Sequence, residues 1–482
     1  MRTKVIATVG PASSSPQMLG RLIDAGVNVF RLNFSHGTHA THGAALTAIR
    51  AAAAERGAHV AVMGDLCGPK IRLNAIAGGQ AELRDGATVQ FVRGDGPGDA
   101  SRLTCSYAAL IDDVRAGDRL LIDDGRVTLR TTAKSGDALS CTVEVGGVVS
   151  DRKGINLPDS PVRVDALTDK DRVDAAWAAQ NGVDYLALSF VRRPADLVAL
   201  RAALGPAGSE LPIVAKIEKS AAIAELDGIL DAADAVLVAR GDLGVEMPIE
   251  RVPMLQKAIA RRCQYAGKPV IVATQMLQSM VDSPTPTRAE VSDAANAILD
   301  HADALMLSAE TAVGRYPVEA VRMLARVAEH TETFLERFRA APDAEVLAAS
   351  MRLTSAVAHG ACLLARDLDV SLLAVHTQSG ITARLISKNR PTQRIFGLCS
   401  DARVCRRMAL YFGVTPLAAE FRNEPDSLLR ELDDLLLARG WAEPGELSIV
   451  VVGTQLSHPG SSNALLIHRV HGGAPGAPAE GS

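Results

Sequence analysis

Aromatic side chains are scarce in this chain of 482 residues: nine Phe, five Tyr and two Trp, 3% in all. A core with so few bulky anchors is packed by Ala and Val in many small, repeated units. No run approaches the ~18 apolar residues that a membrane span requires, and the start, MRTKVIATVG, leads straight into a strand-like run with no apolar signal segment. Neither sign of charge dominates, with 51 Lys and Arg against 55 Asp and Glu and a net charge of -4. No long basic stretch with interleaved aromatics is present, which argues against nucleic acid as the main partner. The seven cysteines, at 67, 105, 141, 263, 362, 399 and 405, are scattered and odd in number. They form no zinc ligand set, and reduced thiols in a cytoplasm explain them best. Walker-type phosphate loops and G-x-G-x-x-G are absent too, which excludes a P-loop kinase.

What is present is repetition. A chain this long exceeds one compact core, so two or three domains are expected. Continuous apolar, β-rich runs recur at 5–10, 27–34, 60–66, 185–190, 213–218, 235–242, 270–275 and 304–310. Continuity rather than alternation is the signature of parallel strands buried on both faces. Helix stops such as Ala25-Gly26 and Ala266-Gly267 lie between them. Eight units in series predict a closed (β/α)8 TIM barrel, with its site at the strand C-terminal ends. The gap between the third and fourth runs is anomalously long and reads as β, with a turn at Asp124-Gly125. The expected fold is therefore α/β: a catalytic barrel from 1–70 and 165–342, and a small β-barrel-like lid domain inserted at 71–164. An α/β open-sheet effector domain at 343–471 and a disordered tail at 472–482 complete it.

Polar residues gather where the runs end. The second closes in Arg31-Leu32-Asn33-Phe34-Ser35-His36-Gly37, and the third at Asp65, followed by Leu66-Cys67-Gly68-Pro69-Lys70-Ile71-Arg72. The fifth carries Lys216 and Glu218, the sixth Arg240 and Asp242, the seventh Thr274, and the eighth Ser308 and Glu310. Strand alternation sends Lys216 and Glu218 to one side, and two charges on a buried face are costly unless they meet partners or ions. Glu218 and Asp242 are hard oxygen donors suited to Mg²⁺. Lys216, Arg31 and Arg72 are fixed cations suited to a phosphate and a carboxylate. Phosphoryl transfer needs positioning and charge neutralisation more than covalent help, and this set supplies both.

RLNFSHG (31–37), GPKIR (68–72), KGINLP (153–158), KIE (216–218), ARGDLGVE (239–246), ATQMLQSM (273–280), PTRAE (286–290) and ANAILDHADALMLSAETAVGRYP (295–317) together resemble pyruvate kinase, in order over about residues 3–471. The resemblance implies transfer of the phosphoryl group of phosphoenolpyruvate to ADP, giving pyruvate and ATP. It implies that Lys216 neutralises the moving phosphoryl group, and that Glu218 and Asp242 hold Mg²⁺, or alternatively Mn²⁺. Backbone around Ala239–Asp242, including Gly241, would receive the substrate carboxylate, and Arg31 the phosphate. Thr274 and Ser308 would serve the enolate's proton route, and Asn33, His36, Arg72 and Lys170 the nucleotide side. The resemblance also implies a lid closing over ADP, a cytoplasmic location and a homotetramer.

Many members of that family hold K⁺ with donors corresponding to Asn33, Ser35, Asp65 and Leu66. Where those members carry Glu, this chain has Lys70, whose ammonium can stand in the cation's place, so K⁺ is not expected to be required. After the strand at 371–377, Thr377, Ser379, Gly380 and Thr382 open a helix, and loop 453–463 could face them. The family binds phosphorylated allosteric effectors at the corresponding place. Lys219 and Ala309 depart from the family's usual Asn and Gly.

Overall fold

The computed structural model describes residues 1–160, 162–337, 351–419, 425–453 and 462–471. The tail 472–482 and most of the loop expected to face Thr377–Thr382, residues 454–461, lie outside the described residues. Eight parallel strands close into a barrel: β1 (Lys4–Thr8), β2 (Val27–Asn33), β3 (Ala61–Asp65), β4 (Tyr185–Leu188), β5 (Ile213–Ile217), β6 (Ala235–Ala239), β7 (Val270–Ala273) and β8 (Ala304–Leu307). Each pairs with its sequence neighbours, and β1 meets β8 to complete the ring. The apolar runs are buried on both faces, as in β5, where every residue from Ile213 to Ile217 is buried. Gly26 and Gly267 follow their helices with φ of 114° and 66°, a geometry that glycine adopts without steric cost.

The strands stop earlier than the apolar runs do. Residues 240–246 form a short helix, Arg240–Glu246, rather than extending β6, and Ala309–Ala312 does the same after β8. Asp242 and Glu310 are thus presented from first helical turns, above the rim of the barrel.

The inserted domain, residues 71–164, is all β apart from two short helical turns, Ala77–Gly79 and Leu110–Asp113. A six-stranded sheet and a two-stranded ribbon enclose one core that includes Phe91, Leu103, Leu120, Leu129 and Val149. The turn at Asp123, Asp124 and Gly125 has φ of 53°, 55° and 85°. It joins Arg119–Ile122 to Val127–Ser135 as antiparallel neighbours. The C-terminal domain is a five-stranded sheet in the order β11-β10-β9-β12-β13, with β9 Leu372–His376, β10 Arg394–Cys399, β11 Val414–Ala418, β12 Leu447–Gly453 and β13 Ser462–Arg469. Only β13 runs antiparallel. Among the described residues no helix is long and apolar enough to cross a membrane.

Candidate active site

The C-terminal ends of β2, β3, β4 and β5 deliver their polar side chains to one cavity of about 200 Å³. Its wall contains Arg31, Asn33, Ser35, His36, Leu66, Lys70, Arg72, Lys216, Glu218 and Asp242, together with Cys67, Ser189 and Phe190. Register explains the convergence. Asn33 lies opposite Asp65, and Ala187 opposite the same Asp65, so β2, β3 and β4 end level with one another.

Asp65 is the hub. Its Oδ2 takes Arg31 Nη2 at 2.6 Å and Nε at 2.7 Å, and its Oδ1 lies 3.2 Å from Lys216 Nζ. Lys216 Nζ also reaches Glu218 Oε1 at 3.0 Å, so the period of two does place them together, and it donates to Ser189 Oγ at 2.6 Å. Ser189 in turn donates to the Leu66 carbonyl at 2.7 Å. Arg31 Nη1 is held by Thr8 Oγ1 at 3.2 Å, and the Phe190 N–H donates to Glu218 Oε2 at 2.8 Å. Ser189, Thr8 and the Phe190 amide were not visible in the sequence as site groups. Their only signal is position, directly at or after a strand end.

Burial pushes the Asp65 carboxyl up, but Lys216 and Arg31 outweigh it and hold the group below the ordinary carboxylate value. Burial likewise works against the Lys216 ammonium, yet Asp65 and Glu218 keep its pKa above the usual lysine value. Glu218 is the exception. Burial first, then the charge of Asp242, raise its pKa against the pull of Lys216. Glu218 and Asp242 face one cavity, and Lys216, which Glu218 shares with Asp65, does not offset the burial of Glu218.

Those two carboxylates fit a divalent ion. No cluster of three or more His, Cys, Asp or Glu converges among the described residues. Mg²⁺ does not need one, because it takes one or two carboxylates and fills its octahedron with water and substrate oxygens.

Thr274, Ser308, Lys170 and Arg240 lie outside the cavity wall, whereas Arg72 is part of it. Thr274 accepts a hydrogen bond from the Gly241 N–H at 2.8 Å, with its own φ at 71°. A β-branched residue in that region is strained by about 1–3 kcal/mol, which is characteristic of functional positions. Ser308 caps the short helix after β8, its N–H bonded to Glu310 Oε2 at 2.7 Å. Lys170 is committed to Asp174 at 2.6 Å and to the Phe34 carbonyl at 2.7 Å. Arg240 pairs with Asp293 at 2.7 Å. Arg72 donates to the Arg152 carbonyl at 3.0 Å, so it stands at the hinge of the inserted domain. In the C-terminal domain, Gly380 has φ 79° and precedes the helix Ile381–Lys388. Its N–H donates to Thr377 Oγ1 at 3.0 Å, and Thr382 is buried.

A closed parallel barrel whose strand ends gather cations and a pair of carboxylates in one cavity, beneath an inserted β domain, defines a barrel enzyme acting on anionic substrates. Residues 1–321 match the family description "Pyruvate kinase, barrel domain", and residues 355–468 match "Pyruvate kinase, alpha/beta domain". A pyruvate kinase of Geobacillus stearothermophilus is 40% identical over 97% of this chain and 80% of its own length. One of Mycobacterium tuberculosis is 40% identical over 97% and 98%. The crystal structure of a pyruvate kinase from Cryptosporidium parvum superposes with a TM-score of 0.89 at 34% identity, covering 97% of this chain and 96% of its own. The chain belongs to the pyruvate kinase family, and it is a phosphotransferase with that family's activity.

Proposed function

We propose that the cavity at the ends of β2–β5 transfers the phosphoryl group of phosphoenolpyruvate to ADP. The observation that carries this reading is the placement of the Lys216 ammonium within 3.2 Å of Asp65 and 3.0 Å of Glu218, facing the same cavity as Asp242. Glu218 and Asp242 would hold Mg²⁺, which supplies charge neutralisation across the substrate oxygens when bound. Arg31, fixed by Asp65 and Thr8, positions the phosphate. Lys216 stabilises the charge on the phosphoryl group in flight, where a pre-positioned cation is most effective. The backbone at Ala239–Asp242 receives the carboxylate, while Thr274 and Ser308 serve the proton that reaches the enolate. Asn33, His36 and Arg72 face the nucleotide, with Lys170 behind them. The inserted domain excludes water from the transfer.

Lys70 shares the cavity wall with Asn33, Ser35 and Leu66, and its ammonium serves there in place of a monovalent cation. Turnover is therefore expected without added K⁺. Lys70→Glu should make turnover depend on K⁺, read as the ratio of rates in K⁺ and in a tetraalkylammonium salt. A ratio of one in both proteins would refute this role.

The loop Thr377–Thr382 is proposed to bind a phosphorylated effector. Ser379→Glu should abolish activation by such metabolites and leave the basal rate intact, and retained activation would count against it. A homotetramer in the cytoplasm completes the reading. A coupled assay for pyruvate from phosphoenolpyruvate and ADP, with and without Mg²⁺ and K⁺, tests the whole.

A further inference from the structure

Lys219 directly follows Glu218, and Glu246 lies four residues beyond Asp242, one turn along the helix Arg240–Glu246. The two side chains meet, with Lys219 Nζ 2.6 Å from Glu246 Oε1. Glu246 is buried, its side chain 3% exposed, against 22% for Lys219. The same Oε1 accepts a hydrogen bond from Asn156 Nδ2 at 3.0 Å, and Asn156 ends the last strand of the inserted domain. On its other side the Lys219 ammonium lies 5.5 Å from the Phe190 ring centroid, and the Phe190 N–H is the donor to Glu218. Neither Lys219 nor Glu246 lines the cavity that holds Lys216 and Glu218. Their pair bridges the loops after β5 and β6, the two segments that carry Glu218 and Asp242.

We propose that Lys219 and Glu246 form a strap that sets the spacing of Glu218 and Asp242, and with it the affinity for the divalent ion. Asn156 ties that strap to the inserted domain. The proposal rests on the reading that Glu218 and Asp242 hold the ion. Its physical basis is the mutual repulsion of the buried Glu218 and half-buried Asp242 carboxylates, which drives their loops apart unless something holds them. Lys219 and Glu246 are positioning residues, acting through the loops rather than on the reacting atoms.

Charge alone and strapping predict opposite signs. Acting only through its field, the Lys219 ammonium would repel a cation, and its removal would tighten binding. As half of a strap, its removal loosens the site. Mn²⁺ binding to the full-length protein, measured by titration calorimetry, separates the two. Lys219→Met, Lys219→Asn and Glu246→Gln should each weaken Mn²⁺ binding about tenfold, the size of effect seen when groups that orient metal ligands are lost. Lys219→Arg and the exchanged pair Lys219→Glu with Glu246→Lys should restore wild-type binding. Unchanged or tighter binding in Lys219→Met and Lys219→Asn, alongside lost binding in a Glu218→Gln control, overturns the strap alone. Unaltered binding in Glu218→Gln overturns the carboxylate reading and the strap with it.

Discussion

The two ends of the barrel pair charge in opposite ways. At the strand starts, an Asp precedes each of three strands and closes its own circuit. Asp184 binds the Val62 N–H at 2.7 Å, Arg50 at 2.6 Å and Arg406 at 2.8 Å. Asp234 binds the Ile213 N–H at 2.8 Å and Arg201 at 2.8 Å. Asp303 binds the Val270 N–H at 2.7 Å, Lys388 and, at 3.1 Å, Arg390. At the strand ends, Asp65 is equally well served, by Arg31 and Lys216. Glu218 shares Lys216 with it and is left with a raised pKa, and Asp242 faces the cavity beside it. Matched charge at the base holds the barrel and the C-terminal domain together. The charge left over at the top is what the proposed substrate and ion would complete, since barrel enzymes put chemistry at that end and stability at the other.

Breaking the top should cost rate rather than fold. Lys216→Met is expected to lower kcat by ~1000-fold or more, the scale lost with a preorganised transition-state cation. Its melting temperature should move little by comparison, and the coupled assay with a thermal melt reads both. Breaking the base should do the reverse. Asp303→Ala leaves Lys388 and Arg390 buried without their partner, at a cost of about 3–5 kcal/mol in stability. Denaturant titration measures this, while the folded fraction should retain its Mg²⁺ requirement.

A smaller effect sharpens the contrast. Lys4, at the start of β1, is buried and donates to the Val414 carbonyl at 2.7 Å, and burial lowers its pKa from 10.5 to about 8. The folded chain therefore sheds this proton earlier than the unfolded chain does. Between about pH 8 and 10.5 the unfolded state binds more protons, so this group makes stability rise with pH across that window. Lys4→Met should remove that rise, seen as a flatter difference in melting temperature between pH 8 and 10. An unchanged slope would show that Lys4 titrates normally.

Much of this division was legible in the chain. Continuous apolar runs revealed eight buried parallel strands, and the period of two put Lys216 beside Glu218. The runs overshot the strands because apolar continuity does not distinguish a strand end from the helical turn that follows it, as at Arg240–Glu246. Strand β11 escaped notice because Pro416 interrupts its pattern, and the structure places it at a sheet edge, where proline is tolerated. Ser189 and Thr8 were missed because a hydroxyl at a strand end reads as an ordinary turn or cap residue. Only the register across β1 to β5 shows that Lys216 and Arg31 lean on them.

Asp242→Asn tests the central claim most directly, because it removes one charge from the mismatched end and leaves every matched pair in place. Mn²⁺ binding and Mg²⁺-dependent turnover should both fall at least ~100-fold, while the melting temperature holds or rises, as relief of carboxylate repulsion requires. Wild-type turnover and metal binding in that variant, or a large loss of stability in its place, would contradict the account.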